Sequence, residues 1–306
     1  MPGMGQDLTN AATLSATVVA AIDDLELVAR RIVEGLRAGN NRSPFHGFSS
    51  EFRQHRPYRA GDDLKYLDWK LYGRSNRLYT RQFHETTELA VMIVLDNSGS
   101  MAFPEAGVSK FRYGAIVAAA VAWLLSDQGN KVGVMTEVGG ELSYLPARGG
   151  RQHLRSVLAQ IDRLTPAGTF DAPRVIARTA QLLRRRGIVI VISDFYDSED
   201  ATRRELRRVV HYGHDVTMLQ VISPEEMALP YDGRLELEDL ESGARRLTDA
   251  AEAAPRYHAA VSAFLDRCRS QALRAGIDYA LISTATPPEQ ALRDWLLRRG
   301  GGATSR

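Results

Sequence analysis

Apolar residues near the start of the chain recur at steps of three or four: Leu14, Val18, Ile22, Leu25, Val28, Ile32 and Leu36. That spacing lines one stripe of a helix and predicts a helix over 8–38, ended by Gly39, Asn40 and Asn41. From Glu88 onward the period changes. Leu89 to Leu95 and Ile188 to Ile192 are unbroken apolar runs, the pattern of central strands in a sheet covered on both faces. Weaker strand patterns lie at 132–137, 216–222 and 279–283. Helical patterns fall near 111–127, 151–163, 172–186, 199–212, 250–275 and 288–299. This alternation predicts an α/β fold, a doubly wound and mostly parallel sheet joined by right-handed crossovers. One interruption, Arg234 to Glu238 and Arg245 to Thr248 around Glu241, Ser242 and Gly243, reads as a polar hairpin inserted near 233–249.

The segment 43–87 differs in kind. Aromatic residues and arginines intermix through Phe52, Arg53, Arg56, Tyr58, Arg59, Tyr66, Trp69, Tyr72, Arg74, Arg77, Tyr79, Arg81 and Phe83. A short helix is predicted from Asp63 to Tyr72, opened by Asp62 or Asp63 as its cap. Three readings stand side by side. The segment is a protein-docking face, with Arg56, Tyr58, Arg59 and Trp69 as partner contacts, or a nucleic-acid surface with stacking rings. In the third, the rings are core and the arginines pair with Asp62, Asp63, Asp68, Glu85 and Glu88. The expected organisation is a helical arm at 1–42, this segment packed on the core at 43–87, a sheet domain at 88–299 and a flexible tail at 300–306.

Charge narrows the choice. The 306 residues carry 39 Lys and Arg against 37 Asp and Glu, a formal +2, so no strong global field draws the chain to nucleic acid. With 44% hydrophobic and 25% charged residues the composition is that of a globular domain. The single cysteine, Cys268, excludes an intrachain disulfide and a four-cysteine zinc site; within a predicted amphipathic helix it reads as core. No stretch reaches the ~18 apolar residues of a membrane span, the richest being Ala115 to Leu125. No Lys or Arg precedes Leu14 to Ile22, and Asp23, Asp24 and Glu26 follow it, unlike a secretory leader. The expectation is a cytoplasmic protein without membrane insertion.

In an open parallel sheet, ligands sit beyond the carboxyl ends of the strands. After the first apolar run come Asp96, Asn97, Ser98, Gly99 and Ser100; after the second, Ser193 and Asp194; a third loop holds Pro166, Ala167, Gly168 and Thr169. Alternate side chains of an extended turn point the same way, so positions 96, 98 and 100 can face one point. Asp96, Ser98, Ser100, Thr169 and Asp194 are all hard oxygen donors, suited to Mg²⁺, Mn²⁺ or Ca²⁺ rather than to zinc.

This set, Asp-x-Ser-x-Ser with a later Thr and Asp, resembles the metal-ion-dependent adhesion site of von Willebrand factor A domains over about residues 88 to 222. The resemblance implies that the five residues hold Mg²⁺ or Mn²⁺ and leave a position for an Asp or Glu of a partner protein. A second resemblance is carried by Phe52 to Asp63 (FRQHRPYRAGDD), by Leu67-Asp68-Trp69-Lys70 and by Arg77 to Phe83 (RLYTRQF). These look like the hallmark of the bacterial domain-of-unknown-function 58 family, which precedes a von Willebrand A type domain and whose genes often lie beside MoxR-type AAA+ ATPases. Two departures stand out. Many relatives have N-terminal membrane helices that are not seen here, and Phe170 follows the metal-site threonine where an acidic residue is common.

The implied function is a non-enzymatic, metal-dependent protein-interaction module. It captures an acidic residue through Mg²⁺ and acts as an adaptor for a MoxR-type ATPase, or its client, in protein maturation or remodelling. The alternative is a Mg²⁺-dependent phosphohydrolase using Asp96 and Asp194. Against it, position 98 is Ser and not the second acid of an Asp-x-Asp pair, and the sequence has no phosphate loop and no nucleophile turn.

Overall fold

The computed structural model describes residues 15–38, 52–58, 67–75, 77–83, 88–104, 107–196 and 199–302. In chain order the elements begin with α1 (Ala16–Ala20), α2 (Leu25–Ala38), β1 (Phe52–Pro57), α3 (Trp69–Ser75), β2 (Tyr79–Phe83), β3 (Ala90–Leu95), α4 (Lys110–Asp127), β4 (Lys131–Val138) and β5 (Glu141–Arg148). There follow α5 (Arg151–Asp162), α6 (Ala172–Leu182), β6 (Gly187–Ser193), α7 (Glu199–His211), β7 (Asp215–Ile222), α8 (Pro224–Ala228), β8 (Arg234–Glu238), β9 (Arg245–Asp249), α9 (Ala250–Arg274), β10 (Asp278–Ser283) and α10 (Pro288–Gly302). The chain forms two compact units, one of residues 45–89 and one of residues 1–44 with 90–306.

The larger unit is built on a six-stranded sheet in the order β10-β7-β6-β3-β4-β5, parallel except for β5, which runs antiparallel to β4. The doubly wound, mostly parallel α/β fold expected from the sequence is the fold observed. Strands β3 and β6 are buried almost throughout, because both faces of the sheet are covered. On one face Met92, Val94, Val189, Val191, Val216 and Met218 pack with residues of α6, α7 and α9. On the other lies α4. Its sequence is apolar nearly all round, so helices must cover it on several sides. Gly114 of α4 faces Leu95 and Ile192 of the sheet.

The expected single helix over 8–38 is two helices. Asp24 interrupts it: its Oδ1 accepts the Leu27 N–H at 2.9 Å and caps a new helix, while Ser15 caps α1. The periodic stripe holds in α2, where Leu25, Val28, Ile32 and Leu36 are buried. Both helices belong to the sheet unit, tied to α4 by Arg37 on Asp127 at 2.9 Å and by the Arg112 guanidinium on the Ala20 carbonyl. Helix α6 stops at Leu182, short of the expected 186, because Leu183 turns to extended backbone and Arg184 to Arg186 lead into β6. At the carboxyl end, α10 continues to Gly302, past the expected start of the tail. Strand β5, not foreseen, is an edge strand with a mostly solvated alternation and Pro146 in it, so it lacks the apolar run that marks its neighbours.

In the smaller unit, β1 and β2 pair antiparallel, Pro57 opposite Tyr79, and α3 lies between them in sequence. The predicted helix begins later than expected because the cap is Asp68, whose Oδ1 accepts the Leu71 N–H at 3.0 Å; Asp62 and Asp63 lie outside the described residues. No helix among the described residues is long and apolar enough to cross a membrane.

Gly133 sits in β4 beside a register shift against β5. A Cβ there would meet the Leu145 carbonyl oxygen at 2.5 Å, the Met92 sulfur at 2.6 Å and the Ala147 nitrogen at 2.7 Å. Gly133→Ala is expected to lower stability in urea by about 2 kcal/mol, since backbone on two strands must move. Gly73→Ala in α3, with nothing within 4 Å, should cost nothing.

His214 offers a pH test. Burial lowers its pKa, and its Nδ1 accepts the Gly187 N–H at 3.2 Å, a role open only to the neutral ring. A depressed histidine contributes stability above its unfolded pKa and loses it as pH falls. The urea midpoint of the wild type should therefore exceed that of His214→Gln by less at about pH 5.5 than at about pH 7.5, a comparison in which the opposing titration of the raised carboxyls cancels.

Candidate functional site

The carboxyl ends of β3 and β6 lie side by side, and the chain leaves them in opposite directions, toward β4 and toward β7. A crevice opens at such a switch point. The Asp96 N–H extends the ladder to the Ile192 carbonyl at 3.0 Å, which fixes the start of the loop. The Asp96 carboxylate is then held at both oxygens: Oδ1 accepts the Ser98 N–H at 2.8 Å and Oδ2 accepts the Ser193 hydroxyl at 2.5 Å. Gly99–Ala102 closes into a single 3-10 turn. This brings the Ser98 and Ser100 hydroxyl oxygens to 3.1 Å, and Ser100 Oγ donates to Asp194 Oδ2 at 2.9 Å.

The loop after β6 is anchored as firmly. Gln220 Nε2 donates to the Asp194 carbonyl at 2.8 Å, and the Tyr196 N–H donates to Asp194 Oδ1 at 3.2 Å. Phe195 adopts a left-handed φ of 60° with its ring buried, a strained backbone state for a non-glycine residue. The third loop is stitched to the first by main chain alone: the Gly99 N–H donates to the Gly168 carbonyl and the Ala167 N–H to the Asn97 carbonyl, both at 2.8 Å.

Four of the five expected donors, Asp96, Ser98, Ser100 and Asp194, thus form one connected cluster. Thr169 stands on the stitched loop but is exposed, and it makes no hydrogen bond to the other four. Of the expected partner contacts, Arg56 lies in β1 and Arg59 outside the described residues. Tyr58 is half-buried, and Trp69 is 63% exposed with Tyr72 edge-on to it at 6.3 Å.

Sequence reasoning missed three participants. Lys110, the first residue of α4, is fully buried, and its ammonium donates to Asp194 Oδ2 at 2.7 Å and to Glu226 Oε1 at 2.5 Å, with the Tyr196 ring centroid 4.8 Å away. Glu226 belongs to α8, fixed by a capping box with Ser223. Third is the tip of the β8–β9 hairpin: a Cβ on Gly99 would come within 2.4 Å of the Leu240 carbonyl oxygen, so the tip lies directly against the Asp-x-Ser-x-Ser turn. The Asp and Ser spacing was a signal; for these three the local sequence offers none, because the partners are brought together only by the fold.

Asp96, Asp194 and Glu226 with Lys110 make three formal negative charges and one positive, a net of −2. The surplus is felt. Burial first, and the charge of Asp194 second, push the Asp96 carboxyl up to about 7, against the pull of the Ser193 and Ser98 hydrogen bonds. Burial also raises Glu226, opposed by Lys110. A divalent cation fits this arrangement on two counts. It would balance the charge, and oxygens around Mg²⁺ at ~2.0 to 2.1 Å stand roughly 2.9 Å from their nearest neighbours, close to the spacings found here. Among the described residues no group of three or more His, Cys, Asp or Glu could hold a metal, so such a site must use hydroxyls.

The family described as "Protein of unknown function DUF58" matches residues 54–267, taking in the β1–β2 segment and most of the sheet unit. The chain belongs to the DUF58 family. An uncharacterized protein of Mycobacterium tuberculosis, Rv1480, is 30% identical over 290 residues, covering 91% of this chain and 86% of that protein. Among solved structures, the conserved hypothetical protein BatB from Bacteroides thetaiotaomicron aligns at 16% identity and a TM-score of 0.46 over 70% of this chain and 99% of that one. The SpRpn10 VWA domain aligns at 12% identity and a TM-score of 0.40 over 67% and 94%. In this DUF58 chain the switch-point loops carry Asp96, Ser98, Ser100 and Asp194.

The Leu240 contact is testable. Gly99→Ala should push the hairpin tip away, so amide exchange across residues 238–244 quickens while β3 and β6 stay protected. Unchanged exchange at the tip would disprove the contact.

Proposed function

We propose that this DUF58 protein is a non-enzymatic interaction module that binds Mg²⁺ or Mn²⁺ through Asp96, Ser98, Ser100 and Asp194, with Thr169 completing the set on the adjoining loop. Through the metal it grips an Asp or Glu of a protein partner. The observation that carries the reading is the cluster at the switch point: hard oxygens at metal-ligand spacing among side chains whose formal charges sum to −2. When bound, the metal would supply Lewis acidity toward a carboxylate oxygen. The residues of the chain hold and orient. Ser193 and the Ser98 amide fix the Asp96 carboxylate, and Gln220 fixes the backbone of Asp194. Two hydroxyls among four donors leave the cation with less negative charge than a carboxylate cage would, which favours an incoming anionic oxygen. A MoxR-type AAA+ ATPase, or its client, is the partner that the family resemblance implies, and an adaptor role in maturation or remodelling follows from it.

Titration calorimetry should find one Mg²⁺ or Mn²⁺ per chain, with affinity falling on the order of tenfold or more in Asp96→Ala. A purified MoxR-type ATPase should be retained on the immobilised chain in Mg²⁺ and released by EDTA. Absence of metal binding to the wild type, or equal binding to Asp96→Ala, would refute the metal bridge.

A further inference from the structure

We infer that Lys110 is the resident cation of this site and, together with Glu226, sets how tightly the site holds a metal; the inference rests on the metal reading above. Lysine at the first position of α4 is on the wrong end of the helix dipole, so its place does not serve the helix. Its side chain instead turns inward, and an ammonium taken wholly out of water persists only where opposite charges surround it. Two carboxylates and the face of the Tyr196 ring do so.

The decisive detail is which oxygen the ammonium takes. Asp194 Oδ2 accepts both from Lys110 Nζ at 2.7 Å and from the Ser100 hydroxyl at 2.9 Å. The oxygen that faces the hydroxyl donors is therefore already shared with an internal positive charge. An arriving divalent cation competes with Lys110 for it, and Glu226, on the other side of the ammonium at 2.5 Å, is the carboxylate that keeps Lys110 satisfied when Asp194 is drawn to the metal. Lys110 weakens metal binding and Glu226 relieves that weakening. Because Glu226 is fixed on α8 by Ser223, the balance is set by two elements that supply none of the metal donors.

The two residues have opposite signs, and this separates the proposal from a structural role. In titrations with Mg²⁺ and Mn²⁺, Lys110→Gln should bind on the order of tenfold tighter than the wild type, because a like charge beside the ion is gone. Glu226→Gln should bind weaker by a similar factor, since Lys110 then rests on Asp194 alone. Lys110→Arg, which keeps the charge, should stay near the wild type. A residue needed only for folding would weaken binding in both neutral variants, and this result overturns the proposal. So does equal affinity across all variants while the wild type binds metal, an outcome that leaves the metal reading standing. Should no form bind metal, the metal reading fails first and the role of Lys110 with it. If Lys110→Gln does not fold, as judged by circular dichroism, Glu226→Gln decides: unchanged or tighter binding there refutes the proposal.

Discussion

Two buried carboxylates, a third that is largely buried and one buried ammonium meet at the carboxyl end of the sheet, and the surrounding structure is arranged to satisfy them. Charges taken out of water at such cost survive only with partners at hydrogen-bond distance. Each carboxylate here has them: Ser193 and the Ser98 amide on Asp96, Ser100 and Lys110 on Asp194, Ser223 and Lys110 on Glu226. The requirement reaches far along the chain, from the turn after β3 to the turn after β7. It explains why the loops at this end of the sheet are tied by main-chain bonds and capping residues, with Phe195 between them held at a left-handed φ.

The framework was readable in the sequence because its signals are strong and local. The apolar runs at 90–95 and 188–192 are long enough to exclude a one-sided strand, and the α2 stripe keeps its period over three turns. Asp96, Ser98, Ser100 and Asp194 were also legible, since a short spacing and the ends of two strands specify them. Elements with weak or mixed patterns were lost. β5 alternates without an apolar run, and the break between α1 and α2 depends on one capping aspartate within a stripe that continues through it.

Lys110 and Glu226 were illegible for a different reason. A lysine opening a helix ordinarily extends into water, and a glutamate in a short helix reads as a cap. Only the fold, bringing residues 110, 194 and 226 to one place, turns them into partners. The Leu240 contact on Gly99 is of the same sort, a meeting of segments about 140 residues apart that no local pattern announces. The β1–β2 pair in the smaller unit shows the converse. Its sequence signature was conspicuous and identified the family, yet mixed aromatic and basic residues gave no period from which strands could be read.

The hairpin insertion has an evolutionary corollary. Its strands are solvated and pair mainly with each other, while its turn rests on the mouth of the switch-point crevice. Asp239, which accepts the Glu241 and Ser242 N–H groups, and Gly243, with its positive φ, fix the shape of the turn, while the side chain of Leu240 can change with little penalty to the sheet. Descendants of this scaffold could thus vary the surface beside the switch point at one exposed position while the framework stays as it is.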